Sequence, residues 1–269
     1  MSEYPIGRET ILRALQEALE PLPFVHAMWQ GGAAAFGRVD EWSDIDLQAD
    51  ADDERGAEVF AAAEAALSAL SPIELRYEIP QPTWHGHAQA FYRLRDTSPF
   101  LLIDFVVLKH SNPQKFLQRE IHGEAAVHFD KSGVVQSPPF DPDAWLERLK
   151  GRVAALGQSF PLFQTLTLKE LERGNAIEAQ SFYMAYTLRP LVELLRITHD
   201  PSRFDFHTRY VYYNLPQAAV RRLEPLFFSA GPAELRANQA AAEQWFGELA
   251  GELDWAAIAG RLAGAARGR

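Results

Sequence analysis

The sequence predicts an α+β protein, with an N-terminal mixed sheet covered by helices and a C-terminal helical bundle. Three observations support this fold class. Short apolar runs of strand character alternate with helical segments through the first half of the chain. Prolines cluster at positions 138, 139 and 142. Beyond them the hydrophobic pattern is almost wholly helical. We therefore expect two domains, residues 1–140 and residues 141–269.

Periodicity and turn residues define the elements of the first half. Residues 9–22 have helical periodicity and stop at a proline, and residues 54–70 form an alanine-rich helix. The predicted strands alternate in polarity or are continuously apolar, and they cover residues 24–30, 45–50, 73–79, 90–96 and 101–108. A turn is predicted at residues 130–133.

The second half is predicted to begin at a helix N-terminus. Asp141 is a favoured N-cap residue, and Pro142 is favoured in the first helical turn. The longest apolar helix covers residues 175–197, and we expect a kink near Pro190. The remaining helical segments complete the predicted bundle.

Composition excludes several classes of protein. The chain has no cysteine, which excludes disulfides, thiolate zinc sites and cysteine nucleophiles. No apolar run approaches the ~20 residues that span a bilayer, so we expect a cytoplasmic protein without a membrane partner. The net charge is −10, and no basic face is evident. A nucleic acid is therefore not the expected partner. The acidity is typical of soluble proteins, although it could also attract a polycationic molecule.

Three aspartates are the main candidates for chemistry. Asp44 and Asp46 lie at i and i+2 on a predicted strand, so their side chains project from the same face. Asp104 is the single charge within the apolar run 99–108. Neighbouring carboxylates repel each other unless a cation lies between them, and hard oxygen ligands suit magnesium. If the two strands are neighbours, the three carboxylates could hold two divalent ions.

The same segment carries a glycine turn. Gly31 and Gly32 precede the acidic strand, and glycine allows a backbone to approach a phosphate closely. This combination resembles the nucleotidyltransferase superfamily related to DNA polymerase beta, and in particular its bacterial aminoglycoside adenylyltransferase-like branch. The residues that fall on the family pattern are Gly32, Ala33, Gly37, Ser43, Asp44, Asp46 and Asp104. Ala33 is a departure, because the family usually has there a serine whose hydroxyl meets the nucleotide phosphates.

The resemblance implies a function. It implies a nucleotidyltransferase domain over residues 1–140 and a helical acceptor-side domain over residues 141–269. The expected reaction is Mg²⁺-dependent transfer of a nucleoside monophosphate, most simply AMP from ATP, to a hydroxyl of a small molecule, for which an aminoglycoside-like compound is one candidate. One or two magnesium ions are the expected cofactors. The alternative is a catalytically weak nucleotide-binding module, regulatory or antitoxin-like, that keeps the fold.

The resemblance also implies roles for individual residues. Asp44, Asp46 and Asp104 would hold the metal, and all three count as catalytic. Gly31, Gly32 and Ser43 would cradle the triphosphate, and Lys109 is a further candidate for a phosphate contact.

Glu178 matches, by position only, a carboxylate that acts as base in some of these enzymes. Its spacing from Asn175 is also that of a capping box, which we favour. Tyr183 and Tyr186 lie one and two helical turns further on and belong either to a shared cleft or to the core.

Two further patterns have simple structural explanations. His85 and His87 could bind a transition metal, but without a third ligand nearby a loop approaching a strand is the preferred interpretation. Residues 203–210 interleave arginines with aromatic residues. They could grip a phosphate or stack on a base, but a surface corner of the bundle is the preferred interpretation.

Overall fold

The computed structural model describes residues 4–268. It divides into two compact units, Met1–Pro139 and Phe140–Arg269. This division lies one residue before the boundary that the proline cluster predicts.

The first unit contains a six-stranded mixed sheet. Its strands are β1 (Val25–Gln30), β2 (Ile45–Ala51), β3 (Ile73–Glu78), β4 (Ala88–Leu94), β5 (Ile103–Lys109) and β6 (Ala126–Asp130). Their order across the sheet is β3-β4-β5-β2-β1-β6. Only β2 and β5 pair in parallel, and every other neighbouring pair of the sheet is antiparallel. The predicted mixed sheet is therefore confirmed.

Helices cover this sheet. They are α1 (Arg8–Leu19), the single turn α2 (Gly32–Ala35), α3 (Gly56–Leu70) and the short α4 (Arg119–His122). The buried faces of α1 and α3 repeat at helical spacing and pack in one core cluster with the apolar face of β2. On β2, Ile45, Leu47 and Ala49 are fully buried, which leaves the alternate residues for the other face.

The turn after β6 forms where the sequence predicts it. The carboxylate of Asp130 accepts hydrogen bonds from the backbone N–H groups of Ser132, Val134 and Val135 at 2.9–3.2 Å. These bonds close the turn locally, as aspartate does in many turns.

The second unit is helical. Its helices are α5 (Pro142–Arg173), α6 (Ala176–Tyr183), α7 (Arg189–His199), α8 (Val211–Asn214), α9 (Gln217–Leu223), α10 (Pro232–Gly251) and α11 (Trp255–Ala266). Asp141 caps α5 as predicted, because its side chain accepts from the N–H groups of Asp143 and Ala144, both at 3.0 Å. A π-helical turn at Met184–Leu188 separates α6 from α7, immediately before Pro190, so the long predicted helix is interrupted where the proline removes a hydrogen-bond donor.

The segment 203–210 is a corner, as preferred from the sequence. Arg196 is fully buried. Its guanidinium donates to the backbone carbonyls of His207 and Arg209 and to the carboxylate of Asp200. These contacts tie the loop to α7.

Among residues 4–268, no helix has the length and hydropathy that crossing a membrane requires.

Candidate functional site

The sheet brings the three predicted aspartates together. Asp46 on β2 and Asp104 on β5 are directly paired in the parallel ladder, and Asp44 lies immediately before β2. Because residues opposite each other in a ladder point to the same face, both strand carboxylates project from one side of the sheet. Asp44 lies two residues before Asp46 and belongs to the same face.

Burial and mutual repulsion act on these carboxyl groups. Burial, and to a smaller extent the negative charges of Asp46 and Asp44, raise the pKa of Asp104 to about 6, against a hydrogen bond from Gln89 that lowers it. Burial also raises the pKa of Asp44, while Arg8 opposes the shift. The carboxyl groups of Asp44 and Asp104 are therefore harder to ionise than an ordinary aspartate.

Gly32 has a steric role beside Asp46. Its φ of +52° lies in the left-handed region, and a Cβ added there would overlap the carboxylate of Asp46. Gly31 shapes the same turn, and its N–H donates to the backbone carbonyl of Asp46 at 2.9 Å. This N–H thus belongs to the backbone bonding of the turn, and the structure gives it a role other than the expected donation to phosphate. Ala33 follows in α2.

Gln48 adds a buried oxygen to the same region. It lies on β2 two residues beyond Asp46, and its side chain lies 3.3 Å from the Cβ position that a substituted Gly31 would have. Its Oε1 atom is buried and has no hydrogen-bond partner among the described residues. A buried carbonyl oxygen without a donor is costly, and a cation or a ligand donor would satisfy it.

Arg8 is a site residue that the sequence did not identify. From the start of α1 it donates to Gln30 Oε1 at 2.9 Å and to the backbone carbonyls of Ser43 and Asp44. Burial lowers its pKa, and the charges of Asp46 and Asp44 act in the opposite direction. Arg8 therefore fixes the backbone that leads into β2 and offsets part of the negative charge of the cluster.

His85 and His87 are also placed by the fold, but not as metal ligands. His85 Nδ1 accepts from the backbone N–H of His87 at 3.2 Å, so its proton is on Nε2, which donates to Gln89 Oε1 at 3.3 Å. Gln89 Nε2 then donates to Asp104 Oδ1 at 2.7 Å. This chain of hydrogen bonds orients the Asp104 carboxylate.

His87 has partners at both ring nitrogens. Nε2 donates to the backbone carbonyl of Gln114 at 2.8 Å, and Nδ1 accepts from the N–H of Lys109 at 3.2 Å. Burial lowers the pKa of His87. Both imidazoles therefore connect a loop to the sheet, which was the preferred interpretation of this motif.

Two other predicted residues have structural partners. The Ser43 hydroxyl donates to Asp40 Oδ1 at 2.6 Å and accepts from the Asp40 N–H at 3.0 Å, so it closes the loop before β2. Lys109 ends β5, five residues after Asp104, which corresponds to roughly 16 Å along the strand. The structure does not bring Lys109 to the carboxylates, because it lies at the opposite end of the sheet.

The environment of Glu178 differs from a capping box. The N–H of Asn175 donates to the backbone carbonyl of Glu170 at 2.8 Å, not to Glu178, and the Asn175 side chain caps no helix N–H. Instead, Asn175 Nδ2 donates to Glu170 at 2.8 Å and to Glu178 at 3.3 Å. The preferred capping interpretation is therefore wrong. Glu178 is an exposed carboxylate beside the buried Glu170.

The two tyrosines after Glu178 differ in environment. Tyr183 is fully buried, and its hydroxyl donates to the carbonyl of Leu226 at 2.9 Å. Burial raises its pKa. Tyr183 is thus a core residue. Tyr186 packs against Phe163, with ring centroids 5.1 Å apart.

A separate cluster of possible metal ligands lies at the other end of β2. His26, Asp50 and His110 each offer one ligand atom, all within 4.8 Å of one another. His110 Nδ1 lies 2.6 Å from Asp50 Oδ1, and the Lys115 ammonium binds the other oxygen of that fully buried carboxylate. Lys115 already neutralises Asp50, so we assign no ion to this cluster. The sequence could not indicate it, because its members come from three separate segments.

Comparisons with known proteins add little to this geometry. No family model matches the chain, and no curated protein matches it. Among solved structures, an aminoglycoside 6-adenyltransferase from Bacillus subtilis matches over 97% of this chain and 99% of that chain, at 10% identity and a TM-score of 0.34. These values are too low to establish a common fold, so the assignment of function depends on the site itself.

Proposed function

We propose that the protein is a Mg²⁺-dependent nucleotidyltransferase, which moves a nucleoside monophosphate, most simply AMP from ATP, to a hydroxyl of a small-molecule acceptor. The observation that carries this proposal is the pairing of Asp46 with Asp104 on adjacent parallel strands, with Asp44 two residues before Asp46. Three carboxylates on one face, two of them with raised pKa values, are a site for cations.

The residues of the site fit magnesium. Their side-chain donors are carboxylate oxygens, which Mg²⁺ prefers, and the buried Gln48 Oε1 is a further oxygen. Burial is the main cause of the raised pKa of Asp104, and the charges of Asp46 and Asp44 add to it; a divalent ion would offset both effects. When bound, Mg²⁺ would neutralise phosphate charge during displacement.

The chain's own residues would then mainly bind the ion and position the groups around it. Asp44, Asp46 and Asp104 would hold the ion, Gln89 would orient Asp104, and Gly32 would leave room beside Asp46. In the reaction, the acceptor oxygen bonds to the α-phosphorus, the bond from that phosphorus to the β-phosphate bridge breaks, and pyrophosphate leaves. Positioning and electrostatics account for most of the rate in such transfers.

The acceptor hydroxyl must also lose a proton. Asp104 is one candidate to accept it, because its carboxylate belongs to the cluster at which the reaction would take place. Glu178 is the second candidate base by the family resemblance alone, and its carboxylate is exposed. Normal turnover in Glu178→Gln would exclude Glu178 and leave Asp104.

Binding and turnover should be measured separately. We expect wild-type protein to bind a non-hydrolysable ATP analogue only with Mg²⁺, and to release pyrophosphate from ATP with a suitable acceptor from a panel of hydroxyl compounds. Asp46→Asn should abolish both, whereas Asp53→Asn, which changes an exposed aspartate near the other end of β2, should change neither. Mg²⁺-independent binding, or binding that survives Asp46→Asn, would contradict the proposal.

The alternative function has a distinct outcome in the same experiment. A catalytically weak nucleotide-binding module would bind the analogue with Mg²⁺ and lose binding in Asp46→Asn, but would release no pyrophosphate with any acceptor. Ala33 in place of the family's serine, and the engagement of the Ser43 hydroxyl by Asp40, are the features that favour this alternative.

A further inference from the structure

A pocket of about 660 Å³ opens between the start of α1 and the loops that lead into β2 and β5. Its lining includes Arg8, Trp42, Ser43 and Phe100. Arg8 also donates to the backbone carbonyls of Ser43 and Asp44, so the same side chain borders the pocket and holds the backbone of the carboxylate site. A molecule that occupied the pocket would therefore contact Arg8 and Ser43, and Ser43 directly precedes Asp44.

Two aromatic side chains in this pocket are unusually exposed. Trp42 is 59% exposed and Phe100 is 58% exposed. Their rings make an edge-to-face contact, with centroids 5.0 Å apart and an interplanar angle of 76°. Large apolar side chains grouped at a surface commonly mark a binding site.

The aromatic pair belongs to the loops that lead into the two carboxylate strands. Trp42 precedes Asp44 by two residues, and Phe100 precedes Asp104 by four. The two loops meet where the Ile45 N–H donates to the carbonyl of Leu102 at 2.9 Å, at the start of the parallel ladder. A ligand with a flat ring at one end and phosphates at the other could thus reach both the aromatic pair and the carboxylates.

The charged side chains that line the pocket decide which end of such a ligand would enter it. Asp40 and Glu41 line it. Hydrogen bonds to Asp40 from the Ser43 hydroxyl and the Trp42 N–H hold the pKa of that carboxyl below its usual range, so it is ionised at neutral pH. Phosphates would be repelled there, whereas an uncharged ring would not. A cationic occupant would face the Arg8 guanidinium.

We infer that Trp42 and Phe100 form a stacking subsite for the base of a nucleoside triphosphate, with the phosphates directed to Asp44, Asp46 and Asp104. This inference rests on the proposed function and adds to it the surface that recognises the nucleoside. Stacking on aromatic side chains suits a nucleobase because every base has a π-face.

The test compares two probes with Mg²⁺ by calorimetry: α,β-methylene-ATP, which has a base, and inorganic tripolyphosphate, which does not. Wild-type protein should bind the nucleotide more tightly than tripolyphosphate. Trp42→Ala and Phe100→Ala should each weaken nucleotide binding by roughly 5- to 150-fold, the effect of losing one stacking partner. Neither variant should change the affinity for tripolyphosphate.

Two further variants serve as controls. Tyr212→Ala removes an aromatic side chain of similar exposure, 67%, which lies on α8 of the helical unit and does not line this pocket. It should leave both affinities unchanged. Trp42→Phe retains a ring and should keep most of the nucleotide affinity, which separates lost stacking from a misfolded loop.

The outcomes separate this inference from the proposed function. If neither probe binds, or if Asp46→Asn leaves both affinities unchanged, the proposed function fails. If tripolyphosphate binding depends on Asp46 but Trp42→Ala leaves nucleotide affinity unchanged, only the stacking subsite is overturned. An equal loss for both probes in Trp42→Ala overturns it too.

Discussion

Replacement of Asp104 by asparagine tests the electrostatic state of the carboxylate cluster most directly. The folded-state pKa of Asp104 is about 6, against an ordinary value of 3.8. A carboxyl with a raised pKa binds more protons in the folded state than in the unfolded state, so its charge destabilises the fold as the pH rises. This cost develops between about pH 4 and pH 6 and is constant above the folded-state pKa.

The difference between the folded-state and ordinary pKa values of Asp104 determines how much its charge lowers the free energy of unfolding. A rise from 3.8 to about 6 corresponds to at most about 3 kcal/mol of unfolding free energy at neutral pH. Asparagine has nearly the same shape, accepts the same hydrogen bond from Gln89 Nε2 and carries no charge. At pH 7.5 without divalent ions, Asp104→Asn should therefore be more stable than wild type, by up to that amount. At pH 4 the two proteins should be equally stable.

Urea unfolding followed by circular dichroism, in EDTA from pH 4 to pH 8, measures this difference. Added Mg²⁺ should then stabilise wild type and leave Asp104→Asn nearly unchanged. Asp53→Asn is the matched control. Hydrogen bonds from Ser111 lower the pKa of Asp53, so its charge favours the fold and its replacement should not stabilise.

A specific result would refute this reasoning. If Asp104→Asn is less stable than wild type at pH 7.5, and the loss disappears at pH 4, then the ionised Asp104 stabilises the folded protein. The residue would then be one half of a structural ion pair, and the carboxylates would not form a metal site.

Three further predictions concern the glycine turn and the helical unit. Gly32→Ala should abolish Mg²⁺-dependent nucleotide binding in calorimetry, because its Cβ would overlap the Asp46 carboxylate, whereas Gly56→Ala, with only an ordinary contact, should not. Ala33→Ser should tighten ATP binding, and the upper limit is about 10- to 150-fold, which is the effect of one hydrogen bond to a charged group. Weaker binding would show that the turn does not hold phosphate. Glu178→Gln should lower turnover strongly without changing ATP affinity if Glu178 is the base, and normal turnover would leave that role to Asp104. Because Glu178 is exposed and does not cap its helix, neither its Gln nor its Ala variant should change the unfolding free energy by more than about 0.5 kcal/mol.

The sequence by itself determined what depends on short-range rules. Alternation along a strand placed Asp44 and Asp46 on one face before any partner strand was known. The Asp141–Pro142 pair predicted the start of α5, because N-capping involves only the next few backbone N–H groups. The apolar run around Asp104 predicted a strand for the same local reason.

The tertiary structure decided which distant segments meet. Asp104 faces Asp46 only because β5 pairs in parallel with β2, with β4 on its other side, and no local pattern specifies that pairing. The contacts of Arg8 and Gln89 likewise join segments that are far apart or on different strands. Long-range pairing depends on the whole core, and so the sequence did not identify these two residues.

Spacing alone also misplaced two predicted residues. Lys109 follows Asp104 closely in sequence, but an extended strand carries it to the opposite end of the sheet. Glu178 has capping-box spacing from Asn175, but the end of α5 supplies the Glu170 carbonyl that takes the Asn175 N–H. In both cases the residue type and the local conformation follow from the sequence, but the neighbouring elements decide the partner, because hydrogen bonds and charges act over distances in space and not along the chain.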